Sequence, residues 1–279
     1  MKNKIVLLGI RGSVPVSGAA FLEYGHATSA MLVYEEPDSG EAGPTEAIAI
    51  DAGTGLLNMH NFLPESVKKL TILVSHIHLD HIQGLLMLPE MFSGTMELDI
   101  YSGLHEGLSL EEGLRSFMKP PIWPCTPDVF SDKVHFLQLP KDDFEAAGFS
   151  ISSIPGSHPN DIDVFRLAFP NGRSFVHVGD YEVETDPQLD RNLVEFARNC
   201  DLLLMDGMYT EEEYSSMRGF GHSSWARTCK LAHEMGAKDL RVIHHAPNHT
   251  DAQLGIADEY VRNHFPGACL GKEGEIIVL

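Results

Sequence analysis

Basic residues are scarce in this chain: 20 Lys and Arg face 40 Asp and Glu, a net charge of −20 over 279 residues. A surface of that sign repels phosphate polymers, so no nucleic-acid polymer is expected as a partner and a small molecule is. Cysteine is sparse too. Cys125, Cys200, Cys229 and Cys269 lie far apart with no Cys-x-x-Cys pair, which fits reduced core thiols better than a disulfide framework or a zinc ribbon. No apolar run reaches the roughly 20 residues that span a bilayer, and the run within Met1–Ile10 is too short for a secretion signal. The expectation is a cytoplasmic protein with no membrane partner.

What is present is ordinary globular material, 43% apolar and 22% charged. Short apolar runs between turn signals predict strands at Ile5–Leu8, Ala30–Tyr34, Ala47–Ile50, Leu70–Val74 and Leu98–Tyr101. Further strands are predicted at Ser150–Ile154, Phe165–Phe169, Ser174–Val178, Leu202–Met205, Leu240–Ile243 and Glu275–Val278. Helical spacing appears at about His81–Met91 and at Ser223–Met235, the second carried by Trp225, Cys229, Ala232 and His233. Strands and helices mixed throughout, with no low-complexity linker, predict the α/β class: two packed sheets flanked by helices, as one domain over residues 1–279. Gly103–Lys133 stands apart. Pro120, Pro121, Pro124 and Pro127 limit regular structure there, while Phe117, Met118, Ile122 and Trp123 need a surface to cover, so a lid or a homodimer contact is expected.

The chemistry is concentrated in Ser75-His76-Ile77-His78-Leu79-Asp80-His81, directly after the strand Leu70–Val74. Alternation at a strand end puts His76 and His78 on one side, and the following turn can aim Asp80 and His81 at a second ion a few ångströms away. A two-ion site needs roughly seven or eight donors. The sequence supplies more at later strand ends: His158 after Pro155-Gly156, Asp180 after Ser174–Val178 and a glycine, and His244 or His245 after Leu240–Ile243. Each alone would read as a cap or a satisfied polar residue; as a series they read as ligands.

His76-Ile77-His78-Leu79-Asp80-His81 followed by Ile82-Gln83-Gly84 resembles the signature loop of the metallo-β-lactamase superfamily. Other stretches resemble its phosphodiesterase branch, which includes ribonuclease Z and the cyclic-phosphate and cyclic-nucleotide phosphodiesterases. They are residues 8–16, 24–29, 50–55, Met118-Lys119-Pro120-Pro121, 209–214, Gly219-Phe220-Gly221-His222-Ser223 and His244-His245-Ala246-Pro247. The resemblance implies an αββα sandwich of two mixed β-sheets, in which His76, His78 and His158 bind one divalent ion, Asp80, His81 and His244 the other, and Asp180 bridges. Zinc is expected first, with manganese or iron also suited to His and carboxylate donors. Two departures stand out: His26-Ala27 replaces the usual glycine-asparagine, and Asn160-Asp161 replaces the glycines usual after the third-motif histidine.

The function implied is hydrolysis of a small cyclic phosphodiester, such as a cyclic nucleotide, by hydroxide bridging the two ions. Asp80 would orient the nucleophile and His222 would give a proton to the leaving oxygen. A lactonase of the same fold is the first alternative, since such a centre also suits carbonyl chemistry, and a non-catalytic carrier is the second.

Overall fold

Alternation along the apolar runs decides the layering. In β1 (Lys2–Gly9), Ile5 and Leu7 enter a core shared with Phe165, Phe175 and Leu204, whereas Val6 and Leu8 join a different core with Leu70 and Leu98. The first core is sealed between two sheets; the second lies under helices. The computed structural model describes residues 2–37 and 42–279, so Met1, at the head of the N-terminal run, and residues 38–41 lie outside the described residues.

One sheet extends β1 through β2 (Ala30–Glu36), β3 (Glu46–Ile50), β4 (Lys69–Val74), β5 (Glu97–Ser102) and β6 (Val134–Gln138) on one side. The C-terminal strand β14 (Ile276–Val278) pairs with β1 on the other. The second sheet runs in space from β7 (Phe144–Ala146) through β8 (Phe149–Pro155), β9 (Asp163–Ala168), β10 (Ser174–Gly179), β11 (Leu202–Asp206) and β12 (Leu240–Ile243) to β13 (Cys269–Leu270). Both sheets are mixed. Each begins with antiparallel pairs and ends with parallel ones, the change falling at β3 in the first and at β10 in the second.

Helices cover the outer faces. On the first sheet lie α1 (Leu79–Ile82), α2 (Glu90–Ser93) and α3 (Leu110–Phe117), which contribute Ile82, Met91, Leu110 and Leu114 to the outer core. On the second, α4 (Pro187–Phe196), α6 (Trp225–Met235) and α7 (Asp251–His264) contribute Leu193, Cys229, Ala232, Leu254, Ala257 and Val261, while α5 (Glu211–Ser216) sits beside them with Tyr214 buried. The architecture is an αββα sandwich.

Two expectations are refined. The single helix predicted at about His81–Met91 is three short pieces, α1, a 3₁₀ turn at Gln83–Leu86, and α2. Gly84 lies so close to the Gly53 carbonyl that a Cβ would meet it at 2.2 Å, and Pro89 lacks the donor that would continue the turn. In Gly103–Lys133, the capping box of Ser109 and Glu112 starts α3; Met118 is buried, Phe117 and Trp123 pack partly on the same core, and Ile122 is exposed. The four cysteines are unpaired. No helix among the described residues is long and apolar enough to cross a membrane.

Candidate metal centre

Because β1, β3 and β4 run the same way, as do β8, β10, β11 and β12, their carboxyl ends gather along one edge of the sandwich. The two sheets are tied there: Gly12 donates to the His245 carbonyl at 3.0 Å, and His245 N–H donates to the Ile10 carbonyl at 2.9 Å. Every donor expected from the sequence emerges from one of these ends. His76, His78, Asp80 and His81 follow β4, His158 follows β8, Asp180 follows β10 and His244 follows β12.

The side chains meet in two groups. His76, His78 and His158 form one, with His78 Nδ1 3.0 Å from His76 Nε2 and 3.1 Å from His158 Nε2. Asp80, His81, Asp180 and His244 form the other. Asp180 belongs to both neighbourhoods: its Oδ2 lies 3.8 Å from His76 Nε2 and from His158 Nε2 and 3.3 Å from His81 Nε2, while its Oδ1 lies 2.9 Å from His244 Nδ1. His245, one residue beyond, turns away and sits 2.9 Å from the Gly271 carbonyl, while His244, just past the end of β12, adopts a left-handed conformation (φ 60).

Second partners hold the rings. Asp51, after β3, takes His81 Nδ1 at 2.7 Å and also accepts from the Ser75 N–H and the Ser29 hydroxyl. The Gly221 carbonyl takes His158 Nδ1 at 2.8 Å. An acceptor at Nδ1 puts the proton there and leaves Nε2 as the free donor atom in both rings. His222 packs beside the cluster, its ring stacked on His244 with centroids 4.7 Å apart, and its Nδ1 donates to Asp206 at 2.7 Å. Asp80 Oδ2 accepts from the Ser13 N–H at 2.7 Å.

Electrostatics separate the groups. Burial holds His76 well below the ordinary histidine range and pushes His158 down to about 4, so both are neutral near pH 7 with a lone pair to give. Burial also opposes charge on His81, but Asp180, Asp51 and Asp80 outweigh it and hold that ring well above its usual range. Asp180 is held well below the carboxylate range because His244 and His81 overcome its burial. Taking a carboxylate out of water costs several kcal/mol unless a cation balances it. Buried carboxylates converge there on imidazoles, and a divalent cation would take the place of the second proton on His81.

Among the described residues, the buried atoms His81 Nε2, His244 Nε2 and Asp180 Oδ1 have no hydrogen-bond partner, although other donor atoms lie within 4 Å. Close approach without hydrogen-bond geometry is what lone pairs aimed at a shared cation give. The imidazole and carboxylate donor set therefore fits divalent metal ions.

Asp51 and Asp206 are functional neighbours that the sequence reading passed over. Asp51 lies within the 50–55 stretch and Asp206 ends β11, the same strand-end signal that singled out Asp180, but neither was given a role. Glu182 is a third: its carboxylate accepts from the Gly219 and Gly221 N–H groups and so holds the loop that carries His222.

A family profile described as a beta-lactamase superfamily domain matches residues 46–245, the span from β3 to the end of the metal-donor series. The chain belongs to the metallo-β-lactamase superfamily. Ribonuclease Z of Thermoplasma acidophilum is 27% identical over 229 residues, 67% of this chain and 72% of that protein. Among solved structures, the metallo-β-lactamase fold protein YhfI from Bacillus subtilis has a TM-score of 0.70 at 18% identity, covering 100% of this chain and 99% of that one. Unliganded yeast PDE1 has a TM-score of 0.71 at 15% identity, again covering 100% and 99%. At those identities the structures establish the fold alone, and divalent-metal binding is the property this fold implies.

The ribonuclease relative corrects one expectation. The net charge of −20 argues against a nucleic-acid polymer as partner, yet sequence relatives of the chain are named as ribonucleases. A sum over the whole surface does not set the field at the site, which cations held there would dominate.

Proposed function

We propose that this chain is a dinuclear metal-dependent phosphodiesterase, and, in finer detail, one that opens a small cyclic phosphodiester such as a cyclic nucleotide. The observation that carries the reading is the convergence of seven side chains from four strand ends on two groups that share Asp180. His76, His78 and His158 would hold one ion, Asp80, His81 and His244 the other, and Asp180 both. Zinc suits the set, as do manganese and iron.

Divalent ions there supply Lewis acidity toward phosphoryl oxygens and bring water's pKa toward about 7. Asp80, anchored by the Ser13 N–H, orients the attacking water and takes its proton. The water oxygen forms the new P–O bond as the ester P–O bond breaks. His222 returns a proton to the departing oxygen from its Nε2, since Nδ1–H is committed to Asp206. Burial disfavours charge on His222, but Asp206 outweighs it and pushes the ring up to about 9, so it is protonated at neutral pH.

His222 and its carboxylate favour phosphorus chemistry, where an alkoxide needs a proton to leave. The cyclic substrate rests on the resemblance of the sequence motifs to that branch. RNA is the competing phosphodiester, supported by the ribonuclease relative. A panel of cyclic mononucleotides, cyclic dinucleotides, a 1,2-cyclic phosphate, an RNA with a 3′ extension and a lactone, offered to metal-loaded protein, tests the reading. Turnover of a cyclic phosphate above the RNA supports it; RNA cleavage alone overturns the cyclic part, and lactone opening without any phosphodiester turnover overturns the whole.

A further inference from the structure

Asn160 and Asp161, which depart from the glycines usual after the third-motif histidine, both adopt left-handed backbone, with φ of 66 and 67. Glu106, on the segment that follows β5, does the same with φ 48. Non-glycine residues pay to sit there, and glutamate lacks the local compensation that asparagine and aspartate find. The three meet. Asn160 Nδ2 donates to Glu106 Oε1 at 2.8 Å, Glu106 N–H donates to Asp161 Oδ2 at 3.2 Å, and Asn160 Oδ1 lies 3.1 Å from His78 Nε2.

This chain of contacts fixes a proton. A carboxylate only accepts, so the Asn160 atom facing Glu106 is its NH2 and the atom facing His78 is its carbonyl oxygen. That oxygen also only accepts, so His78 Nε2 carries the hydrogen. A neutral imidazole has one, which leaves the lone pair on Nδ1, the atom beside His76 Nε2 and His158 Nε2.

We propose that Asn160, held in orientation by Glu106, is a positioning residue that keeps His78 in its Nε2-protonated tautomer with Nδ1 directed at the first metal subsite. The proposal rests on the metal-centre reading above. His81 and His158 get the same service from Asp51 and the Gly221 carbonyl; for His78 it comes from an exposed side-chain clasp. Loss of such partners costs about 10–100-fold in metal affinity, and solvent around this one places it at about 10-fold.

The test compares the parent chain with Asn160→Gly, Glu106→Gln and Glu106→Ala. Glycine accepts the left-handed backbone, so Asn160→Gly should leave the melting temperature of chelator-treated protein unchanged or higher. It should weaken zinc at the first subsite about 10-fold in competition with a chromophoric chelator. Long-range ¹H–¹⁵N NMR of the histidine rings should show His78 protonated at Nε2 in the parent and a tautomer mixture in Asn160→Gly. Glu106→Gln keeps an acceptor for the Asn160 amide and should retain parental affinity, whereas Glu106→Ala should fall between. Parental zinc affinity and an unchanged His78 tautomer in Asn160→Gly would overturn the proposal, as would an affinity loss matched by a lower melting temperature. A parent chain that takes up no zinc instead overturns the metal-centre reading on which it stands.

Discussion

His222 and Asp206 form a buried pair whose consequences can be measured. Because Asp206 raises the ring to about 9, the acid form persists through neutral pH and is lost as pH rises. Turnover should therefore fall on an alkaline limb at or below about pH 9, since cations bound next to the ring lower the same equilibrium. Asp206→Asn should move that limb to lower pH. The sign for stability follows the same shift: the raised His222 ring contributes stability that is present below the ordinary histidine value of about 6.5 and is lost as pH rises through about 9. His222→Ala should cut turnover by about 10²–10⁴-fold with metal content retained, as measured by steady-state kinetics beside metal analysis. Loss of metal in that variant, with normal activity after reloading, would assign His222 to structure instead.

At the scale of elements, the site depends on how closely the turn after β1 passes the end of β12. A Cβ on Gly12 would lie 2.4 Å from His244 Cδ2 and 2.5 Å from Nε2, and both are buried with no slack. Gly12→Ala should displace the His244 ring and lower bound metal by one equivalent per chain; an unchanged metal content would show that His244 is not needed as a donor. The elements that supply the donors were legible because their strands are short runs of four to seven residues, apolar or alternating, bounded by turns. The short exposed strands β6 and β7 lack that contrast, with Val134–Gln138 mostly accessible and Phe144–Ala146 only three residues long. Helix α7 is absent from the expected elements although Leu254, Ala257 and Val261 carry helical spacing, because Gly255 and Asp258 dilute the pattern. His81–Met91 has the right periodicity for one helix, and tertiary packing of Gly84 against the Ala52–Gly53 turn breaks it.

For the whole molecule, local clustering made the first motif readable, since four donors within six residues need no fold to bring them together. His158, Asp180 and His244 depend on two sheets sharing one edge, which only a series of strand-end residues hints at. Asp51 and Asn160 stood out only as part of a matching stretch and as a departure from one, and Asp206 as one more strand-end aspartate, because the ring each would orient is set by the fold and not by sequence neighbours. The partner inference failed for a related reason, since a charge total carries no address. The donor geometry stands or falls with a two-ion centre shared through Asp180. Metal analysis by mass spectrometry after zinc loading and dialysis tests it most directly, on the parent chain and on Asp180→Ala. Two zinc ions per chain in the parent and at most one in the variant are predicted; fewer than two in the parent, or two retained without Asp180, would contradict it.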